Sequence, residues 1–456
     1  MNCLRRLAVC VALSIVSMNG LGAERPPNVI VVLVDDLGWK DVTCQGSESS
    51  QTPHVDQLAS RGVRFTAAYA ACTVCSPTRA AMMTGQYPAR LHVTDWIAGH
   101  ERPHALLRIP DWRKHLPAEA VTVAERLSGA GYATALIGKW HLGEGAFSPE
   151  HKGFAHNVGG CQIGHPPSYF SPYRIPALVD GPTGEYLTDR EASEAVAFVE
   201  SHRDVPFYLH LAHYAVHTPI QAKPEATARA VARWPNLSPQ RAAYAAMIES
   251  VDESLGRILT TLDRLGLRDQ TAIVFTSDNG GQASITDMKP LRAGKGSAYE
   301  GGVRVPLVIT WPGVTSAGTQ CDEPVITPDI PATILDLTHV GTVADQPLDG
   351  CSLAPLFEGG TLGRDAIFWH YPHYHPGGAT PYSAIRAGPW RLVHFYEDGR
   401  DELYHLGDDP GESRDLAGAR PDQTSSLRAR LDQWLSDVGA QLPTPNPEAD
   451  STRHAR

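Results

Sequence analysis

Six apolar residues in a row, Val29-Ile30-Val31-Val32-Leu33-Val34, stand directly before a pair of aspartates. A run with no polar face predicts a strand buried on both sides, the mark of an interior strand in a parallel sheet. Residues 133–137, 207–211, 272–276 and 305–310 have the same texture and are further predicted strands. Between them the pattern turns helical at 54–61, 121–128 and 190–202, with Gly62 closing the first. A longer helix is predicted to open at Ser238-Pro239 and run to Leu265, with Gly266 as its stop. Alternation of this kind predicts an α/β fold: a large, mostly parallel mixed sheet with helices on both faces.

The texture changes after Leu356. Pro, Gly, His and aromatic residues fill 367–382, then alternating stretches at 383–387, 390–396 and 402–406 predict antiparallel strands. A last helix is expected at 427–438. The chain thus reads as a catalytic domain over 24–356 and a small C-terminal α+β domain over 357–440. The polar, Pro-containing tail 441–456 is expected to be disordered. At the other end, Arg5 and Arg6, a short apolar run from 7 to 18 and Gly22-Ala23 predict a signal peptide over 1–23, and hence a secreted or periplasmic protein. That run is short for a bilayer span, so no stable membrane insertion is expected after cleavage.

Four predicted strands lead at once into chemically capable residues. Val34 is followed by Asp35-Asp36, Ile137 by Lys139 and His141, Leu211 by His213 and His217, and Thr276 by Asp278-Asn279-Gly280. In an open parallel sheet those positions share one edge, where ligands bind. Asp35, Asp36, Asp278 and Asn279 are hard oxygen donors that suit Ca2+, or Mg2+, better than zinc. Either pair alone reads more readily as a turn than as a ligand pair. His213 reads best as a satisfied core histidine, Glu300 as a brace, and Lys40 and Lys152 as solvated.

The densest signal is Cys75-Ser76-Pro77-Thr78-Arg79, followed by Ala-Ala-Met-Met and Thr84-Gly85. Ser76 suits a helix cap and Pro77 a first helical position, so a thiol is expected beside a helix start that favours an anion, with Arg79 adding charge one turn on. The bland alternatives are a buried cysteine near a helix start and, from the C-x-x-C of Cys72 and Cys75, a redox pair. The stretch resembles the signature of the type I sulfatases, of alkaline-phosphatase-like fold, with Thr78 where many members have Ser. The resemblance runs from about Pro27 to Pro306 and takes in Gly294-Lys295-Gly296 and the stretch from Tyr299 to Pro306. It implies that Cys75 is oxidised to formylglycine by a maturation enzyme. It also implies that Asp35, Asp36, Asp278, Asn279 and residue 75 hold the metal. Roles follow: Arg79, Lys139 and Lys295 neutralise sulfate, His217, with Lys295, protonates the leaving oxygen, and His141 is the base for the second hydroxyl of the hydrated aldehyde.

A formal charge of −11 argues against nonspecific nucleic-acid binding and requires local positive charge for an anionic substrate. Of eight cysteines, Cys3 and Cys10 leave with the signal, and oxidation of Cys75 leaves five, so at least one is free or pairs between chains. The aromatic and histidine-rich segment 369–375 and the loop 151–169 suggest a sulfated sugar, from a polysaccharide or glycosaminoglycan, as substrate. The rivals are a phosphodiester or phosphonate monoester hydrolase of the same superfamily and a silent sugar-binding relative.

Overall fold

The structure, a computed structural model, describes residues 25–342 and 346–449. The expected signal peptide lies outside the described residues. Ten strands precede the C-terminal region: β1 Asn28–Val34, β2 Val63–Tyr69, β3 Leu107–Arg108, β4 Ala133–Gly138, β5 His156–Val158, β6 Phe207–Ala212, β7 Thr271–Ser277, β8 Arg304–Thr310, β9 Thr319–Cys321 and β10 Val325–Ile326. All but β3 form one sheet in the order β10-β2-β8-β7-β1-β6-β4-β5, with β9 also on β2. β1 pairs in parallel with β6 and β7, and β4 with β6. β8 alone runs against its neighbours, pairing antiparallel with both β7 and β2.

The apolar run at the start of the chain lies at the centre of this sheet because both its faces need cover. Ile30, Val32 and Val34 face the helices Leu187–Ser201 and Pro239–Arg264 through residues such as Phe198, Met247 and Leu255. Val29, Val31 and Leu33 face the other layer, with Met82, Leu127 and Ile334 from the helices Cys75–Thr84, Val123–Gly129 and Asp329–Leu337. Each fully buried aliphatic side chain contributes about 1.5–3 kcal/mol, so the two layers fix the register of β1. The four predicted helices of this region are present within three residues of their expected ends, whereas the last one, expected at 427–438, starts six residues earlier at Pro421.

A second sheet follows as an antiparallel meander: β11 Ile367–Tyr371, β12 Tyr382–Ala387, β13 Trp390–Phe395 and β14 Asp401–His405. The helix Pro421–Asp437 covers one face through Leu427, Leu431 and Leu435. The other face packs on Tyr69, Cys72, Val74 and Val303 of the larger sheet's surroundings. Arg391 reaches across: it donates to Glu412 and to the Ala298 carbonyl, while the Glu300 N–H donates to Glu412 at 2.6 Å. The smaller sheet therefore grips the segment that follows Lys295.

Two expectations are corrected here. Residues 441–449 are ordered against the body: β15 Thr444–Pro445 pairs antiparallel with β3, and the Asn446 side chain donates to the carbonyls of Pro103 and Ala105, both at 2.8 Å. Backbone pairing supplies what the polar composition does not advertise. Lys152 is buried, not solvated, because its ammonium donates to three carbonyls, those of Pro117, Ala118 and Ala120.

Candidate active site

The adjacency β7-β1-β6-β4 brings the four predicted strand ends to one edge. Asp35 and Asp36 leave β1, Asp278 and Asn279 leave β7, His213 and His217 follow β6, and Lys139 and His141 follow β4. Gly138 makes the β4 exit: its φ is +95°, and a Cβ there would sit 2.0 Å from the Ala212 carbonyl oxygen. Asp36 and His141 are themselves left-handed, with φ of 60° and 57°. Non-glycine residues seldom adopt that conformation, so the surroundings hold these two side chains where they are.

The helix Cys75–Thr84 delivers the motif to the same edge. Its cap is Val74 in extended conformation, with no side-chain cap bond. Ser76 is therefore inside the helix, not its cap, and its buried hydroxyl has no hydrogen-bond partner. Pro77 is the third helical residue, still within the turn whose N–H groups need no helical partner. Cys75 is buried, its Sγ 3.3 Å from His141 Nδ1. All six described cysteines are free, so Cys72 and Cys75 form no disulfide.

Charge is concentrated and almost wholly buried. Lys139 Nζ lies 2.5 Å from Asp35 Oδ2, and Lys295 Nζ 2.6 Å from Asp36 Oδ1. Arg79 binds Asp278 Oδ2 through Nε at 2.9 Å and Nη2 at 2.8 Å, with Asp35 3.7 Å away. Asn279 Nδ2 donates to Asp36 Oδ1 at 2.8 Å, and His217 Nε2 is 3.6 Å from Asp36 Oδ2. Burial, reinforced by Asp278, pushes the Asp35 carboxyl up to about 8. Burial also opposes ionisation of Asp36, but Lys295, His217 and the bonds from Lys295 and Asn279 outweigh it and hold that carboxyl below the usual range. Burial and the nearby cations push His141 well below, and His217 down to about 3. Burial opposes the charge on Lys295 too, yet Asp36 raises its pKa overall.

The residues present fit a hard cation. Asp35 Oδ1 and Asn279 Oδ1 are both buried with no hydrogen-bond partner in the chain. An acceptor oxygen stranded in that way is costly unless something positive meets it. Asp35, Asp36 and His217 also offer one ligand atom each within 4.8 Å of one another. Oxygen donors from Asp35, Asp36, Asp278 and Asn279 match Ca2+ or Mg2+, and His217 then stands at the edge of that set.

Above Cys75 opens a cavity of about 570 Å3 whose lining includes His141, His217 and Lys295. Arg79, Lys139 and the four oxygen-bearing residues sit beneath it. Residues 162–165 and Pro167 of the expected sugar loop line it. The segment 369–375 does not, apart from His375: Trp369 and Tyr371 are buried as packing between the two sheets, and His373 and Tyr374 are buried against Thr94 and Leu107. Trp96, Ile97 and Ala98 also line the cavity. Nothing in their loop marked them beforehand, since they follow no predicted strand and carry no motif. His213 is a satisfied core histidine, bonded to Glu191 at 2.6 Å and Ser254 at 3.1 Å.

A buried thiol at a helix start, paired carboxylates and a floor of cations define a hydrolase centre for a tetrahedral oxyanion on an alkaline-phosphatase-like fold. Comparison with known proteins makes the class specific. The Sulfatase family model matches residues 27–340, and the model for the N-sulphoglucosamine sulphohydrolase C-terminal region matches 294–441. Arylsulfatase A of Homo sapiens is 32% identical, over 93% of this chain and 92% of its own. N-acetylgalactosamine-6-sulfatase of Sus scrofa is 31% identical, over 93% of this chain and 88% of its own. The crystal structure of Ps i-CgsB superposes with a TM-score of 0.78 at 29% identity, covering 94% of this chain and 96% of that one, and it has also been solved with k-i-k-neocarrahexaose. The chain belongs to the sulfatase family and is an enzyme of that class. Among the described residues no helix is long and apolar enough to cross a membrane.

Proposed function

We propose that this enzyme hydrolyses a sulfate monoester of a carbohydrate, with Cys75 converted to formylglycine as nucleophile and a divalent cation, Ca2+ or Mg2+, held by Asp35, Asp36, Asp278 and Asn279. The observation that carries the reading is the position of Cys75, at the floor of an open cavity and beside His141 and the oxygen cluster. The cation supplies Lewis acidity toward a sulfuryl oxygen and eases ionisation of a neighbouring hydroxyl. Hydrated formylglycine offers two hydroxyls on one carbon, one to take the sulfuryl group and one to release sulfate by re-forming the aldehyde.

The chain's own residues set the geometry. His141 Nδ1, 3.3 Å from the sulfur of residue 75, is placed to take a proton from a hydroxyl at that carbon. His217 donates from Nδ1 to the Thr218 carbonyl at 2.9 Å, which leaves Nε2 facing Asp36 and the cavity, where the leaving oxygen departs. Lys295, on the cavity wall, and Arg79 and Lys139, beneath it, surround the sulfate position with positive charge. Cys75 is buried, so the maturation enzyme acts on the chain before it closes, which fits export through the N-terminal signal to a secreted or periplasmic location. The sugar preference is supported by the sugar named in the Ps i-CgsB complex and by the substrate in the N-acetylgalactosamine-6-sulfatase name.

Peptide mass spectrometry across residues 73–79, combined with kinetics on an aryl sulfate and a phosphodiester, tests the reading. The expected result is an aldehyde at position 75, a preference for the sulfate, and no turnover by Cys75→Ala. A Cys75→Ala enzyme with the wild-type rate refutes the nucleophile, and a preference for the phosphodiester refutes the reaction class.

A further inference from the structure

The walls of the cavity carry information that the sulfate chemistry leaves unused. Residues 96–98, 162–165 and Pro167, with His375, surround the space into which the alcohol half of the ester must project. Trp96 and His375 meet edge to face, with ring centroids 5.0 Å apart at 78°. His165 lies stacked on His217 at 5.9 Å and 17°. Apart from the histidines, Gln162, Lys295 and the Cys75 thiol, the lining side chains are apolar or absent.

Formal charge is what the walls lack. Among the described residues that line it, the one lysine or arginine is Lys295, and no aspartate or glutamate is present. The Lys295 ammonium is already 2.6 Å from Asp36 Oδ1. Arg79 and Lys139 lie buried beneath, paired with Asp278 and Asp35. His375 is a neutral ring at ordinary pH, because burial, with Lys295 nearby, pushes it down to about 4. A second sulfate or a carboxylate beside the scissile ester would enter this space with no cation to meet it, and an unpaired anion against apolar walls is strongly disfavoured. A neutral sugar asks less: an apolar ring face suits the Trp96–His375 wall, and hydroxyls need only hydrogen-bonding groups such as Gln162, His165 and His375. At about 570 Å3 the cavity has room for a ligand of one or two rings.

We infer that the group bearing the scissile sulfate is an uncharged sugar ring, with no second sulfate or carboxylate next to the ester, seated against Trp96 and His375. This rests on the sulfatase reading above and narrows it, away from highly sulfated and uronate-bearing glycans.

The test uses the mature enzyme with 4-nitrophenyl sulfate as reference substrate. Hexose monosulfates are compared with the same hexoses carrying a second sulfate or a C6 carboxylate, both as substrates and as competitors of the reference. The expected result is at least about a tenfold advantage for the monosulfates, equivalent to about 1.4 kcal/mol. Gln162→Lys, at an exposed wall position, is expected to shrink that advantage by improving the doubly charged ligands more than the monosulfates. Trp96→Ala is expected to raise KM for the hexose monosulfates about fivefold with kcat little changed. Equal or better performance by the doubly charged ligands in the wild type overturns the inference, whatever the variants do. Failure on 4-nitrophenyl sulfate by a chain shown to carry the aldehyde would strike the sulfatase reading itself and remove this inference with it.

Discussion

His370 should make the protein acid-sensitive in a way that one substitution removes. It lies on β11, buried, with Nδ1 accepting from the Ser383 hydroxyl at 2.7 Å and Nε2 donating to the Gln441 carbonyl at 2.9 Å. Both nitrogens are thus satisfied in the neutral ring. Burial pushes its pKa down to about 4, with His92 adding to the effect and the Gln441 carbonyl opposing it. An unfolded histidine titrates near 6.5. Above that pH the ring is neutral in both states, and its contribution is complete. As pH falls, the unfolded chain takes a proton that the folded chain refuses until about pH 4, so stability is lost across the window between those values. At 1.36 kcal/mol per pH unit the loss is about 2 kcal/mol at pH 5 and about 3 kcal/mol at pH 4. His370→Gln removes the titration and weakens two hydrogen bonds, a cost of about 1–2 kcal/mol at neutral pH. The variant should therefore be less stable than wild type at pH 7.5 and close to it at pH 5. Urea unfolding at the two pH values, followed by tryptophan fluorescence, reads this directly. Other buried histidines, such as His210, titrate equally in both proteins and cancel. An unchanged difference between wild type and variant at the two pH values would refute the reasoning.

Two further outcomes follow from the site and its surroundings. Thr94 Oγ1 and His373 Nε2 are 2.8 Å apart, and the Tyr371 hydroxyl donates to Asp95 at 2.8 Å, so two buried bonds tie the loop bearing Trp96 to the segment bearing His375. His373→Ala should raise KM for a sugar sulfate about 5–30-fold with kcat nearly unchanged, and an equal fall in kcat would show the residues serving the chemistry and not the wall. Exhaustive chelation should abolish turnover of an aryl sulfate, with elemental analysis showing one divalent ion lost per chain and activity returning on readdition. Full activity in demonstrably metal-free enzyme would remove the oxygen cluster from the mechanism.

The site was legible because its residues sit at strand exits, and strand exits follow from hydrophobic pattern plus parallel topology. The runs at 29–34, 133–137, 207–211 and 272–276 are buried on both faces, so nothing interrupts them and their ends are sharp. β2 was not marked, although Val63 and Phe65 alternate inward, because Ala67, Ala68 and Tyr69 blur the period. The ring-rich composition of β11 suggests sugar contact, but Trp369 and Tyr371 are the glue between the sheets, with Trp369 Nε1 donating to the Ala70 carbonyl at 2.9 Å. Composition says that rings are present, and only tertiary packing says which way they face. The same limit hid Trp96, which reaches the cavity from a loop with no local signal, and misplaced Ser76, whose capping chemistry is overridden by a helix that begins one residue earlier at Cys75.

The charge balance of the centre explains how a chain of net −11 draws an anionic ester. With Asp35 ionised, as a bound cation would require, Asp35, Asp36 and Asp278 stand against Arg79, Lys139 and Lys295, three charges of each sign, every one of them paired. Side chains alone thus give a nearly neutral floor, and a neutral floor cannot offset the repulsion of the whole molecule. A divalent cation in the oxygen cluster would leave the floor two charges positive, enough to balance the product sulfate as well as to attract the ester. The same accounting predicts the effect of losing one partner. Replacing Lys139 or Lys295 with a neutral residue of similar length should weaken substrate capture far more than either Gln162 or Trp96 can. It removes charge from a buried place that solvent does not screen, where such pairs are worth about 3–5 kcal/mol when broken. A Lys295→Met enzyme with wild-type kcat/KM on an aryl sulfate would show that the floor is overbuilt and that the cation alone carries the attraction.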